Sequence, residues 1–224
     1  MLERSEFKLE YCDGVIYAMA GGTPAHAALS AAAIRVLGPP LLGSCTVFTS
    51  DLKVRVEASD LSTFPDVSIV CAAPLMSSQH ANAVTNPSVL VEVTSRSTED
   101  YDRGDKLSHY KQILSLRAVL FVSHRSKTIT LVQGTAAGWE ERDFRAGERL
   151  ALAEPKVSFA VDDLSAGITL DPNWARCIRR PSPTLLRGAA RRERSAPRRP
   201  PSARPCRKAR LPRATREEPR RSRD

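Results

Sequence analysis

The sequence predicts an α/β (α+β) domain in which a mixed central β-sheet is flanked by helices and extended by additional β-hairpins. Short β-type segments recur over roughly the first 170 residues, two helical patterns interrupt them, and no internal repeat is visible. With 42% hydrophobic and 26% charged residues, the chain of 224 residues can bury one sizeable core.

The first predicted elements are a hairpin and a helix. A turn at Asp13 separates two apolar-rich segments, and Glu10 lies on the first strand just before this turn. Thr23 then has the features of a helix N-cap, with proline at the first helical position. This helix is expected to end at Gly38.

Two strands are predicted after the first helix. Apolar and charged residues alternate from 52 to 56, which predicts a half-buried strand, and a mostly apolar strand follows at 64–70. Asp66 lies near the start of this second strand, directly after a proline. The long polar loop at 72–86 suits a surface segment close to a functional site.

Glu92 is the most informative single residue of the chain. It lies within the apolar run 89–93, which predicts a buried strand. A carboxylate in such a strand is costly unless it is paired, protonated or bound to a cation. We therefore expect Glu92 to belong to a functional site.

A helix is predicted directly after this strand. Acidic residues crowd its first turn, Thr98 offers an N-cap, and Leu107, Tyr110 and Leu114 share one face. Lys106 borders that face about two turns into the helix. We expect Lys106 to be exposed, so that its removal changes the free energy of unfolding by no more than about half a kcal/mol.

Four more strands are predicted, at 118–123, 128–133, 138–144 and 157–161, so the folded domain is expected to span residues 1–170. Residues 171–224 then form a tail rich in Arg and Pro. Residues 1–175 hold 16 Lys and Arg against 21 Asp and Glu, a net charge of −5, whereas residues 176–224 hold 18 against 4, a net charge of +14. We expect this tail to be disordered, and to be either a nucleic-acid-binding arm or an unselected C-terminal extension.

Asp66 and Glu92 lie on neighbouring predicted strands, where their carboxylates could converge on a hard divalent cation such as Mg²⁺ or Mn²⁺. Such a cation generates hydroxide and stabilises negative charge on a phosphate, and Lys106 could orient the water. Two of these residues also have purely structural interpretations. Aspartate after proline is common where strands begin, and a helical lysine is usually solvated.

Four blocks of sequence carry a family resemblance: LEYCDGVIYAMAGGTPAHA, SDLKVRV, FPDVSIV and NPSVLVEVTSRSTEDYDRGDKLSHYKQILSLRAVLFVS. Taken in order, they resemble the Uma family, a branch of the PD-(D/E)XK nuclease superfamily, over about residues 7 to 170. The resemblance implies a restriction-endonuclease-like core with a Mg²⁺-dependent site that cleaves phosphodiester bonds.

The resemblance also implies roles for individual residues. Asp66 and Glu92 match the two acidic elements of the superfamily, as catalytic residues and metal ligands. The superfamily lysine is absent at Thr94, and in this branch its catalytic role is implied for Lys106 on the following helix. Glu10 matches an acidic position near the start of the family and is implied as a further metal ligand.

The leading hypothesis is a metal-dependent DNA endonuclease. The alternative is a non-catalytic module that keeps the nuclease fold and binds nucleic acid or another partner. Because residues 1–175 are acidic, a homodimer, a partner or the tail would have to supply positive surface for DNA. His26, at the start of the first helix, is the only histidine kept as a candidate site residue.

Two further expectations concern the surroundings of the protein. No apolar run of the sequence approaches the roughly 20 residues of a membrane span, so we expect a cytoplasmic protein without membrane association. The five cysteines are scattered and lack metal-site spacing, so we expect them to be reduced.

The proposed domain boundary predicts that truncation after Leu170 leaves a domain that melts in one cooperative transition, because the tail contributes nothing to the core. Circular dichroism melts of the full-length and shortened chains should both be sigmoidal. Loss of the transition on truncation would show that residues 171–224 are part of the fold.

Overall fold

The computed structural model describes residues 8–12, 15–18, 22–95 and 99–171. The described residues form a six-stranded sheet, a five-stranded sheet, a two-stranded hairpin and a few helices. The predicted α+β class with a mixed sheet is thus confirmed. The turn at Asp13, the cap at Thr98 and all of the tail except Asp171 lie outside the described residues, so the tail's predicted disorder stays a prediction.

In chain order the strands are β1 (Leu9–Cys12), β2 (Val15–Ala18), β3 (Thr46–Thr49), β4 (Lys53–Val56), β5 (Leu61–Thr63), β6 (Val67–Val70), β7 (Ala83–Val84), β8 (Val89–Thr94), β9 (Ala118–Ser123), β10 (Thr128–Thr135), β11 (Gly138–Arg145), β12 (Arg149–Leu152) and β13 (Val157–Ala160). The six-stranded sheet has the order β11-β10-β9-β8-β6-β3, and the five-stranded sheet the order β2-β1-β5-β4-β7. Strands β8 and β9 are parallel, whereas their other neighbours are antiparallel. Every residue of β8 is buried, as its run of apolar residues predicts.

The main helix is α1 (Pro24–Leu41), and a short helix (Val161–Ser165) follows the last strand. Between β8 and β9 the chain forms an α-helical turn (Glu99–Tyr101), a π-helical turn (Asp102–Lys106) and a second α-helical turn (Leu107–Tyr110). We call these residues, 99–110, the site helix. None of the described helices is both long enough and apolar enough to cross a membrane.

The six-stranded sheet separates two hydrophobic cores. The first core lies under α1, with Leu29 and Val91 among its members, and the second lies between the sheet, the site helix and the five-stranded sheet, with Leu90 and Tyr110 among its members. Successive strand residues point to opposite faces of a sheet. Glu92, two residues after Leu90, therefore points into the second core, beneath the site helix.

Most element boundaries lie within two residues of the predictions, and three differ by three residues or more. Helix α1 continues past Gly38 because Leu41 is buried in the first core, and this packing outweighs the hydrogen bonds lost at two prolines. The strand predicted at 64–70 begins only at Val67. The site helix ends at Tyr110, so Leu114 is not on its packed face and is 96% exposed.

The expectation of reduced cysteines is wrong for one pair, because Cys45 and Cys71 form a disulfide. The pairing of β3 with β6 explains it. Thr46 is opposite Val70, so the flanking cysteines become cross-strand neighbours although 26 positions separate them in sequence. A disulfide is uncommon in cytosolic proteins, and the cytoplasmic location stays a prediction.

The location of the first core predicts how two leucines respond to truncation. Leu120 on β9 is fully buried in that core, so Leu120→Ala should lower the free energy of unfolding by about 2–5 kcal/mol. The exposed Leu114 provides a matched control, and Leu114→Ala should change it by less than about 0.5 kcal/mol. Urea denaturation measures both values, and equal values would contradict the described packing.

Candidate active site

Glu92 is buried inside the six-stranded sheet and is held by two donors from the site helix. Its Oε1 atom accepts a hydrogen bond from the Tyr110 hydroxyl at 2.6 Å. The same oxygen lies 2.8 Å from the Lys106 ammonium. The carboxylate therefore links the sheet to the helix that crosses it, and the predicted need of Glu92 for a counter-charge is met by Lys106.

Lys106 lies among three carboxylates. Its Nζ atom is 2.8 Å from Glu92 Oε1, 3.3 Å from Glu10 Oε1 and 3.8 Å from Asp102 Oδ1. Only 3% of the residue is exposed, so the expectation of a solvated lysine is wrong. Lysine is buried in proteins where it is paired, and here three anions pair with it.

The burial of Lys106 also reverses the expected effect of its removal on stability. Without the ammonium, buried carboxylates would lose their counter-charge, and breaking a buried ion pair costs about 3–5 kcal/mol. The earlier expectation of an almost unchanged free energy of unfolding therefore does not hold for Lys106.

Glu10 reaches the same place from the five-stranded sheet. It lies on β1, and its Oε1 atom accepts a hydrogen bond from the Thr63 hydroxyl of β5 at 2.6 Å. Glu10 is buried, so its contact with the Lys106 ammonium joins the two sheets through one cation. We call the following residues the buried cluster: Glu10, Glu92, Asp102, Lys106 and Tyr110.

Asp66 adjoins the buried cluster but has partners of its own. The register of β6 against β8 places Asp66 next to Glu92. Its Oδ2 atom accepts the backbone N–H of Val93 at 2.8 Å and lies 3.2 Å from Nε2 of His26. His26 is in the first turn of α1, so this contact connects the main helix to the site.

Burial and neighbouring charges shift the pKa values of the site residues. Burial raises the pKa of the Glu92 carboxyl to about 8; Lys106 opposes this shift, and Asp102 and Asp66 add to it. Burial disfavours the Lys106 ammonium, but the anionic groups around it outweigh burial and raise the pKa of this lysine well above its ordinary value. The hydrogen bond with Asp66 raises the pKa of His26.

Asp66 and His26 form the accessible side of the site. Their side chains are 16% and 24% exposed, whereas the side chains of the buried cluster are almost completely enclosed. Within the described ranges, no three acidic, histidine or cysteine side chains stand close enough together to hold a metal ion. In the buried cluster the cation is Lys106. A surface depression of about 740 Å³ lies away from the site, at the opposite end of β6 beside Cys71.

Sequence reasoning placed Glu10, Glu92 and Lys106 in one site, and the structure brings them into contact. It missed two members of the cluster: Asp102 is one of the acidic residues noted in the first turn of the predicted helix, and Tyr110 was expected only on the packed face. Asp102, Lys106 and Tyr110 recur at intervals of four residues, a spacing that aligns side chains on one helix face. That spacing was the signal that could have found them.

Comparisons with known proteins identify the relatives of this chain. The model of the Uma2 family, described as "Putative restriction endonuclease", matches residues 1–166. An uncharacterised protein of Synechocystis sp., slr1290, is 37% identical over 168 residues, which are 74% of this chain and 87% of that protein. A second Synechocystis protein, sll1609, is 30% identical over 122 residues, which are 54% of this chain and 68% of that protein.

One solved structure shares the fold. It is a crystal structure from Anabaena variabilis whose protein is described as "a putative nuclease belonging to DUF820". It superimposes with a TM-score of 0.56 over 71% of this chain and 90% of its own, at 16% identity. The likeness confirms the predicted nuclease-like fold.

The raised pKa of Glu92 predicts that the folded state loses stability as the pH rises. The pKa is about 8 in the folded protein against an ordinary value of 4.5, so the folded state retains a proton that the unfolded chain releases. This stabilisation is complete below pH 4.5 and is lost as the pH approaches 8. The glutamine of the variant Glu92→Gln is neutral at every pH, so this variant should not show that loss of stability.

Urea denaturation without metal, at about pH 5 and about pH 9, measures the free energy of unfolding of both proteins. Between these pH values the free energy of unfolding of the parent chain should fall by on the order of a few kcal/mol more than that of Glu92→Gln. The same pH dependence in both proteins would show that Glu92 is ionised throughout.

Proposed function

The chain belongs to the Uma2 family, and on this basis we propose that it is a metal-dependent DNA endonuclease that hydrolyses phosphodiester bonds. The family description supports a nuclease-like function. The proposal of metal-dependent hydrolysis rests on the buried Glu92 carboxylate, which lies beside Asp66 and against Lys106. These are the residue types that metal-assisted hydrolysis of a phosphodiester requires.

The proposed metal is Mg²⁺ or Mn²⁺, and Asp66, Glu92 and Glu10 would hold it. Carboxylate oxygens are the ligands that these hard cations prefer. The donor set fits in its chemistry, because all three side chains offer carboxylate oxygens: Glu10 and Glu92 contact the same ammonium, and Asp66 adjoins Glu92. In the described residues the three do not stand close enough together to share an ion, so they would have to move closer as it binds. When bound, such a metal supplies a more acidic water and a counter-charge for the phosphate.

The residues of the chain have separate tasks in this proposal. Tyr110 fixes the orientation of the Glu92 carboxylate through its short hydrogen bond, and the Val93 N–H does the same for Asp66. Lys106 orients the attacking water or stabilises charge that develops on the phosphate. The DNA backbone would approach from the side of Asp66, because the buried cluster itself is enclosed.

The charge of the domain implies a further source of DNA affinity. Residues 1–175 carry a net charge of −5, which disfavours a polyanion, whereas residues 176–224 carry +14. In this proposal the tail, or the combined surface of a homodimer, supplies the phosphate contacts. Truncation after Leu170 should then weaken DNA binding and flatten its dependence on salt.

A cleavage assay tests the proposed activity on supercoiled, linear and single-stranded DNA, with Mg²⁺ or Mn²⁺ and with a chelator. Cleavage should require the metal, and Asp66→Asn and Glu92→Gln should each lower the rate by about 100-fold or more. Asp105→Asn is the matched control, since Asp105 is an exposed carboxylate on the site helix and should leave the rate unchanged.

Two outcomes would count against the proposal. Metal-dependent cleavage that both acidic variants retain would place the reaction outside this site. Binding of DNA without cleavage, on every substrate and with both metals, would instead favour the alternative of a non-catalytic module that keeps the nuclease fold.

A further inference from the structure

The position of Lys106 has a consequence for how a metal could enter the site. Its ammonium contacts the Oε1 atoms of both Glu92 and Glu10, at 2.8 and 3.3 Å. These two carboxylates are also proposed metal ligands. A divalent cation bound by them would therefore lie very close to a positive charge in a site that excludes water, where like charges repel strongly.

Because Lys106 is enclosed, solvent cannot screen this repulsion. On a protein surface, water would screen the two cations from each other, but the Lys106 and Glu92 side chains are only 4% and 5% exposed. The ammonium also occupies the carboxylate oxygens that the metal would use, so the lysine side chain would have to change its position when the metal binds.

The helix that carries Lys106 has a feature suited to such a change. Residues Asp102–Lys106 form a π-helical turn, whose hydrogen bonds span five residues where those of an α-helix span four; such turns are rare and frequently lie at functional sites. Gly104 lies in the middle of this turn, and glycine restricts the backbone less than any other residue. The backbone beside Lys106 is therefore suited to a local rearrangement.

We propose that Lys106 is a built-in counterion of the buried cluster, which a divalent cation displaces from Glu92 and Glu10 when it binds. The inference rests on the proposed function, since it concerns the same carboxylates. It assigns Lys106 two positions: against the carboxylates in the metal-free protein, and away from them, free to act on water or phosphate, in the metal-bound protein. The displacement lowers the affinity for metal, because the ammonium competes for the same oxygens.

Calorimetric titration of Mg²⁺ and Mn²⁺ into the full-length chain at about pH 8 tests this competition directly. Lys106→Met should bind the metals at least about tenfold more tightly than the parent chain, because its side chain has similar length and no charge. Lys106→Arg keeps the charge and should stay weak. Lys111→Met, which removes an exposed lysine just beyond the site helix, should match the parent chain.

Metal-induced rises in melting temperature provide a second measurement on the same four proteins, and Lys106→Gln replaces Lys106→Met if the latter does not fold. Equal or weaker binding by the uncharged variants, when the parent chain binds metal, would overturn the displacement and leave the proposed function standing. Failure of every protein to bind either metal would contradict the proposed function, and this inference with it.

Discussion

The structure depends on the burial of one carboxylate, that of Glu92. A charged group in the middle of a dry β-strand is tolerated only if other groups compensate it, and these groups must come from elements that pack against the sheet. Tyr110 and Lys106 satisfy this requirement from the site helix, and Glu10 pairs with the same ammonium from the second sheet. The need to compensate Glu92 thus fixes how three elements are arranged.

The acidic groups around Lys106 are only partly compensated by its single positive charge, and this excess of acidic groups distinguishes the site from an ordinary ion pair. Three carboxyl groups share one ammonium, and Asp66 adds a fourth at the edge, where it pairs with His26. An arrangement made only for stability would balance these charges or replace them with apolar side chains. The clustered carboxyl groups instead offer the oxygen ligands that the proposed divalent cation would need, and the partly exposed pair of Asp66 and His26 forms the accessible side of the site.

The sequence predicted the elements whose signals are local. The apolar run around Glu92 predicted a buried strand, and Thr23 with the following proline predicted the start of α1. It failed where the outcome depends on partners distant in sequence. Lys106 was expected in solvent because nothing near it in sequence shows that Glu10 and Glu92 enclose it, and the disulfide was missed because only the β3–β6 register brings its cysteines together.

A crystal structure of the full-length protein grown with Mn²⁺ tests the central claim most directly, because anomalous scattering locates this ion without ambiguity. The account predicts a Mn²⁺ peak bound by oxygens of Glu92 and Asp66, with Lys106 Nζ no longer at 2.8 Å from Glu92. No peak at these carboxylates in crystals that contain saturating Mn²⁺, with Lys106 still in contact with Glu92, would contradict it.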